Sequence, residues 1–600
     1  MNLRKRFERR VTPRDLLRCA DHSFFAKRLS LIGLFFLVAC TPQPPKEVSA
    51  PTMHYDVVVY GATSGGVIAA YAAKKMGKSV ILIEPGRHLG GLSSGGLGFT
   101  DVGDETGVNG LARDFYRRVG DYYGPQKMAE MKALFDKERP HMGRLYGPSG
   151  LGWTFEPHVA QLVFEAYLDE AEIEVLYSRR VISVEKSGTD IETATFEYAG
   201  DGTVPDLTFG AHVFIDTTYE GDLMAKAGVS YTIGRESNDE YDEMYNGAIF
   251  GKTKGVYGQP ETETEYPDGV DPYVVPGDPS SGLIAGITAD YTFTPGKGDR
   301  AVQAYNFRMC LCQDEDRLPI VEPEGYNPAT YELLARMLAI EPWESIHDGF
   351  RIHPMPYGKS DWNNQGGYGF STDFIGGAWD YPDGDYQTRD TIWKTHETYQ
   401  QGLLWFIVSD PRVPARIREE MREWGYCRDE FIDTDGWPHA LYVREARRMI
   451  GSYVITEKNV YNLVEVDDGI AYGSYHGDSH SVIRFLQDGR IESDGNFVTR
   501  RPGRPPYAIP YRALTPKEDE VSNLFVTFAL SATHSGFGSA RMEPVFMATS
   551  QAAAVAASLS IDEGISVQDV DTDVLRSILH DRPLLGDEKG ISDLEAYRLK

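Results

Sequence analysis

Tyr55–Tyr60 is a short, mostly apolar run rich in valine and closed by Gly61. A continuous apolar run of that length predicts a strand buried on both faces, as in a parallel sheet. Gly61–Gly66 reads as a turn, alanine-rich Val67–Met76 as a helix that stops at Gly77, and Ser79–Ile83 as a second strand ending at Glu84. Pro157–Ala171 has the pattern of a helix, and 173–186, 191–198 and 207–215 those of strands. Near the C-terminus, Asn523–Leu530 reads as a strand, and Ser535–Pro544 opens a helix running to about Ser558, with Pro544 suited to its first turn. These elements predict an α/β fold. Between 235 and 435 the pattern departs from it, and seven of the eight tryptophans (343, 362, 379, 393, 405, 424, 437) lie between 343 and 437.

The N-terminus has its own pattern. Basic residues from Arg4 to Arg28 precede an apolar run, Leu29–Ala39, too short to span a bilayer, so 1–39 reads as a signal peptide. Leu37-Val38-Ala39-Cys40 resembles the bacterial lipobox, which implies acylation of Cys40 and a Pro-rich tether over 40–54. The expected location is the cell envelope: lipid-anchored, at the outer membrane, facing the periplasm. Net charge is −29, and because 1–39 carries nine Lys/Arg against three Asp/Glu, the remainder carries −35. That acidity disfavours nucleic acid as a partner. Of the five cysteines, Cys310 and Cys312 would share one strand face, as buried thiols or as a metal or redox pair. No metal site is expected.

The strand–turn–helix–strand from Tyr55 to Glu84 supplies the context in which a glycine turn binds a dinucleotide. Gly61 turns the chain, Thr63, Ser64 and Gly65 approach the pyrophosphate, and Gly66 packs helix on strand. Thr63 stands where the motif's middle glycine is usual. The helix N-terminus offers free N–H groups and a positive dipole to phosphates. Glu84 is placed to accept ribose hydroxyls, which favours FAD or NAD over NADP. Pro85, Gly86, Arg87, Gly90, Gly91, Leu92 and Ser93 follow in a glycine-dense run that resembles the flavin-proximal loop of the glutathione-reductase-like superfamily, and so points to FAD.

Further segments, Asp216–Asp222, Val302–Arg308, Gly436–His439, Leu441–Arg448 and Arg541–Pro544, resemble bacterial FAD-dependent oxidoreductases, some labelled xanthan lyases and distantly akin to heterodisulfide reductase A-type subunits. The resemblance implies a Rossmann-like FAD-binding domain with a large inserted substrate domain: FAD domain at 55–234 and 436–560, insert at 235–435, helical tail at 561–600. The acidic tail reads as a solvated helical end. The resemblance also implies FAD contacts at Val181, Asp216, Glu543, Pro544 and Met547. Four-thiolate iron–sulfur sets are absent once Cys19 is cleaved off and Cys40 acylated.

Flavin does the redox chemistry, and the protein supplies binding, orientation and charge. Arg541, just before a helix start, is a candidate cation for the reduced flavin or else the partner of a structural carboxylate. An alcohol substrate also needs a base; His534 is the first candidate, with His439 and His476 behind it, each set against a structural role. Arg444 is a candidate substrate ligand or a structural ion pair. Arg308, Lys359, Asp361, Asn363 and Trp379 are candidate substrate contacts, and the tryptophans either sugar platforms or core. The expected function is oxidation of an alcohol group on a sugar or related small molecule, with an unassigned electron acceptor. The alternatives are a glycan-binding or lyase-type lipoprotein retaining FAD structurally, or a heterodisulfide-reductase-like electron carrier.

Overall fold

The computed structural model describes residues 52–599 apart from 139–149, 201, 203, 250–265, 365–368, 500, 502 and 587–593. The signal peptide and Cys40 lie outside the described residues, as does the tether up to Pro51. Strand β1 (Met53–Tyr60) pairs in parallel with β2 (Val80–Ile83), and β2 with the short β3 (Val175–Leu176). Helix α1 (Ser64–Lys75) connects β1 to β2, and α2 (Pro157–Ala171) precedes β3. Strands β4 (Arg179–Ser187) and β5 (Asp190–Tyr198) form a hairpin that joins β6 (Leu207–Asp216) antiparallel. On its other side β6 runs parallel to β1 along almost its whole length, Met53 opposite Phe209 and Tyr60 opposite Asp216. The C-terminal end of β6 also pairs in parallel with β7 (Leu524–Val526).

The apolar run of β1 is explained by this placement. Val57 and Val59 face a core built with α1, α2 and the late helices, while Val58 and Tyr60 face one built with Val181, Phe196, Phe209 and Phe214. Both faces are covered, so both sets of alternate residues are apolar. The predicted strand over 173–186 is in fact two. Ser178 adopts φ 58°, breaking the ladder, so that β3 serves β2 and β4 turns away to β5.

The predicted helix from Ser535 is also two: α3 (His534–Ala540) and α4 (Glu543–Glu563). Pro544 lacks an N–H and its ring would clash with the carbonyl four residues back, so the chain breaks at Arg541-Met542. The tail is packed rather than solvated: Val567, Leu575, Leu579 and Leu585 are buried in the main core.

A second, antiparallel sheet centres on Met309–Cys312, flanked by Ser360–Asn364 and Gly425–Tyr426. Its core takes in the tryptophans. Trp343, Trp362 and Trp437 are buried, and Trp379, Trp393, Trp405 and Trp424 pack half-buried against the same cluster. Core packing therefore accounts for the run of indoles. Residues Thr52–Lys600 form one compact unit.

Candidate functional site

Thr63 caps α1, its Oγ1 accepting from the Gly66 amide at 3.2 Å and donating to the Thr217 carbonyl at 2.9 Å. The residue that departs from the usual glycine motif is thus the helix N-cap, a position threonine suits. Gly61 has φ +102°, which favours glycine, and a Cβ on Gly66 would lie 1.8 Å from the Gly61 carbonyl oxygen. The second glycine-rich turn lies against the first: Gly90 donates to the Ala62 carbonyl at 2.7 Å, and a Cβ on Gly91 would lie 3.2 Å from the Thr63 Cα. Glu84, half-buried at the end of β2, accepts from the amides of Ala62 (2.6 Å) and Gly86 (2.7 Å). Burial pushes its pKa up to about 7, against the two amides, which lower it. Pro85 and Gly86 continue that edge, and Arg87 is exposed beside them.

At the start of α4, Glu543 ties the early and late halves of the chain together. Its carboxylate accepts from Ser64 Oγ (2.5 Å), Ser93 Oγ (2.9 Å) and Tyr219 Oη (2.8 Å). Tyr219 in turn accepts from the Leu92 amide at 2.9 Å. Burial raises the Glu543 pKa, opposed by the three hydroxyls. Pro544 occupies the first turn of α4 and Met547 is fully buried behind it.

Two residues predicted to touch the cofactor have other partners. Asp216 accepts from the Thr218 amide and hydroxyl and from the Met224 amide, organising the turn after β6; burial pushes its pKa up to about 6. Val181 donates its amide to Tyr60 Oη (3.2 Å), and its carbonyl accepts from Tyr386 Oη (2.8 Å).

A small, largely enclosed cavity of about 10 Å³, room for about one water, lies beside Glu543, walled by Leu92, Tyr219, Tyr442, Arg444, Phe528 and Arg541 among others. Arg541 donates to Tyr442 Oη (2.8 Å) and to Asp478 Oδ2 (2.9 Å), while its Nε has no partner among the described residues. Arg444, with its guanidinium 4.2 Å from the Tyr442 ring centroid, donates from Nη2 to Asn306 and Asp373, each at 3.0 Å. Its Nε and Nη1 have no partner among the described residues. His480 joins the two arginines: Nδ1 lies 2.7 Å from Asp373 Oδ2 and Nε2 3.5 Å from Asp478 Oδ2. The result is an arc of alternating basic and acidic side chains, Arg444–Asp373–His480–Asp478–Arg541, with both ends in the cavity wall. Burial pushes the Asp478 pKa up, but His480 and Arg541 outweigh it and hold Asp478 well below the carboxylate range. His480 and Asp478 were not singled out by sequence reasoning, since neither belongs to a recognisable motif.

The predicted base lies elsewhere. His534 is 0% exposed; Nδ1 is 2.8 Å from Glu445 Oε2, Nε2 is 3.1 Å from Ser479 Oγ, and its amide donates to Glu236. With both ring nitrogens engaged by structural groups, it is a bridge between segments rather than a wall of the cavity. His439 stacks on His88 with ring centroids 3.9 Å apart, and burial lowers its pKa to about 3. His476 stacks on Tyr475 at 4.0 Å, near Asp478.

Most predicted substrate contacts are structural. Arg308 and Asp361 form a buried two-bond ion pair, and Asp361 also accepts from the Phe99 amide. Lys359 is clamped by Glu156, Asp429 and Glu430 at 2.7–2.8 Å. Asn363 accepts from Asn306 at 3.1 Å. Trp379 lines a cleft of about 650 Å³ shared with Tyr291, Arg300 and Asp383. Cys310 and Cys312 are free and buried, Cys310 lying 3.6 Å from Cys427.

A strand–turn–helix with backbone too close for side chains at Gly61 and Gly66, a helix N-terminus, and a carboxylate ending the next strand together define a dinucleotide-binding oxidoreductase site. The residues present fit FAD. Glu84 would hold the ribose, Thr63–Gly66 the phosphates, and the idle N–H groups of Arg444 and Arg541 stand ready for acceptors. The family model described as FAD dependent oxidoreductase matches residues 56–579, and the chain belongs to that family. It is an FAD-dependent oxidoreductase. No curated protein matches the sequence.

Solved structures with partial similarity include the anhydrotetracycline hydroxylase of Streptomyces rimosus, at 15% identity, covering 31% of this chain and 36% of that one, with a TM-score of 0.20. A flavocytochrome c3 fumarate reductase in its open conformation matches at 17% identity, 36% and 49% coverage and a TM-score of 0.19. The 3-ketosteroid Δ4-(5α)-dehydrogenase of Rhodococcus jostii matches at 16% identity, 32% and 52% coverage and a TM-score of 0.18. The matched region spans about a third to a half of each of these chains.

Proposed function

We propose that the protein oxidises an alcohol group of a sugar or related small molecule beside the flavin it binds. One observation carries this reading: two buried arginines, Arg444 and Arg541, whose outer ends are joined through Asp373, His480 and Asp478. Bound FAD supplies the two-electron acceptor. The chain's own residues do the rest. Arg444 and Arg541 place positive charge on the wall, and Leu92, Tyr219 and Phe528 exclude water. Asp373 on Nδ1 orients the His480 ring. The test is anaerobic mixing of the FAD-loaded protein with a panel of sugars and polyols, following flavin absorbance. Bleaching by a hydroxy compound is the expected result, and a panel that leaves the flavin oxidised throughout would remove alcohol oxidation from consideration.

A second reading, glycan binding without turnover, is favoured by the open cleft at Trp379 and Tyr291, because aromatic rings beside carboxylates suit sugar faces and hydroxyls. Binding of an oligosaccharide without bleaching would select it. We also propose that Cys40 carries the lipid that anchors the protein to the bacterial envelope; the lipobox-like Leu37–Cys40 supports this.

A further inference from the structure

We infer that Cys310 and Cys427 form a disulfide when the protein meets a disulfide oxidant, with Cys312 left as a free thiol, and that this bond staples the antiparallel sheet. The inference is independent of alcohol oxidation and of the cavity beside Glu543.

Strand alternation brings the thiols together. Along Met309–Cys312, Met309 and Leu311 pack into the tryptophan-rich core, so Cys310 and Cys312 lie on the opposite face. On the neighbouring strand Tyr426 packs into that same core, and Cys427, one residue on, joins the two cysteines. Met355 and Phe431 complete this small cluster. All three thiols are free and buried.

The register selects one pair. Gly425 lies opposite Cys312, and Tyr426 opposite Leu311. The next antiparallel step sets Cys427 against Cys310, and the Cys427 amide meets the Cys310 carbonyl at 3.5 Å. Directly opposed residues of such a pair stand about 4.5–5.5 Å apart at Cα. A disulfide spans about 4.4–6.8 Å between Cα atoms, so opposed cysteines fall inside its reach. Cys312 is diagonal to Cys427, and diagonal neighbours are about 7–8 Å apart. That spacing needs backbone movement before a bond can form. The sulfurs of the opposed pair already lie 3.6 Å apart. Side-chain rotation, rather than strand movement, brings them to bonding distance.

One cysteine sulfur attacks the oxidant's S–S bond and displaces a thiol, and the second cysteine then displaces the other half. Two S–H bonds break and one S–S bond forms, while both electrons and both protons leave on the oxidant's two thiols. Burial pushes the Cys310 thiol up to about 11, so exchange in the closed fold is slow, and the bond once made is sheltered from reductants. It ties together residues 117 apart in sequence. Closing so long a loop restricts the unfolded chain. It also fixes the segment that holds Asp429 and Glu430 on Lys359.

FAD-loaded, full-length protein is incubated for hours with oxidised glutathione, at temperatures rising to just below its thermal midpoint so that the sheet opens transiently. Remaining thiols are capped with N-ethylmaleimide in denaturant, and a non-reducing digest is mapped by mass spectrometry. A linked Cys310–Cys427 peptide is expected, with Cys312 carrying maleimide, and dithiothreitol should dissolve the link. Cys312→Ala should keep it, whereas Cys427→Ala should leave Cys310 and Cys312 both capped. Oxidised wild type should melt several degrees above the reduced protein, a difference absent from Cys427→Ala. Maleimide on all three wild-type thiols overturns the inference, as does a link through Cys312. A linked form that melts no higher than the reduced one would deny the staple. The wild-type map alone decides the pairing, whether or not a variant folds.

Discussion

Glu84 holds two backbone amides on a carboxylate that burial lifts to about 7, and this makes it a pH-sensitive part of the cofactor site. Ribose hydroxyls donate, so they favour the ionised form, and FAD affinity is expected to rise as pH increases from 5 to 8. In Glu84→Gln the dependence should flatten; an unchanged slope, measured by FAD titration, would place the ribose elsewhere. In the apoprotein the sign is opposite. The folded pKa lies above the ordinary 4.5, so proton uptake favours the fold; this contribution is full below about 4.5 and is lost as pH rises through about 7. His534 is the contrasting residue. Its ring bridges Glu445 and Ser479 with no exposure, and His534→Ala leaves both without that partner and opens a void. A loss of about 2–4 kcal/mol in urea unfolding is expected, with the pH profile of flavin reduction unmoved. A profile that shifts while stability holds would return His534 to the acid–base role that its sequence position suggested.

At the scale of elements, the start of α1 carries the cofactor site and is held by side chains remote in sequence. Thr63 caps the helix and reaches the Thr217 carbonyl, and Ser64 reaches Glu543 at the start of α4. Thr63→Ala should therefore cost more than an ordinary cap, about 1–2 kcal/mol, because the bond that docks the turn on β6 is lost with it. Thr63→Ser should cost far less, since it keeps the oxygen; equal urea midpoints for the two would deny the cap. Gly66→Ala adds a carbon 1.8 Å from the Gly61 carbonyl oxygen, so helix and turn cannot both keep their places. Soluble but FAD-free protein is the expected outcome, read from the ratio of flavin to protein absorbance. Much of this element was legible beforehand, because Gly61, Thr63, Gly66 and Glu84 interact across one βαβ unit. The break between α3 and α4 followed from Pro544 in principle, yet the alanine-rich stretch after it looked like one helix with what precedes it. Helical pattern is local, and a proline at the first turn marks a start without saying whether another helix ends just before.

At the scale of the molecule, residues 52–600 fold as one compact unit, and the proposed anchor lies ahead of it. Cys40→Ser is expected to move the protein from the membrane to the soluble fraction and to abolish acyl labelling, with flavin content unchanged. Retention in the membrane fraction would exclude a lipid at Cys40. By itself the sequence determined what depends on near neighbours: a strand apolar on both faces, the glycine turn, the helix Pro157–Ala171, and the carboxylate that ends β2. These follow from steric limits on glycine and from the periods of helix and strand, which act over a few residues. Only the tertiary structure decided the chemistry of the cavity. Most of the tryptophans that suggested a sugar platform pack as core, Trp379 at the open cleft apart, and Arg308, Asp361 and Lys359 neutralise one another or nearby acids. Asp373, Arg444, Asp478 and Arg541, spread over almost 170 residues, meet through His480. No local pattern encodes such a meeting, because a buried charge is positioned by whichever distant partner offsets its desolvation.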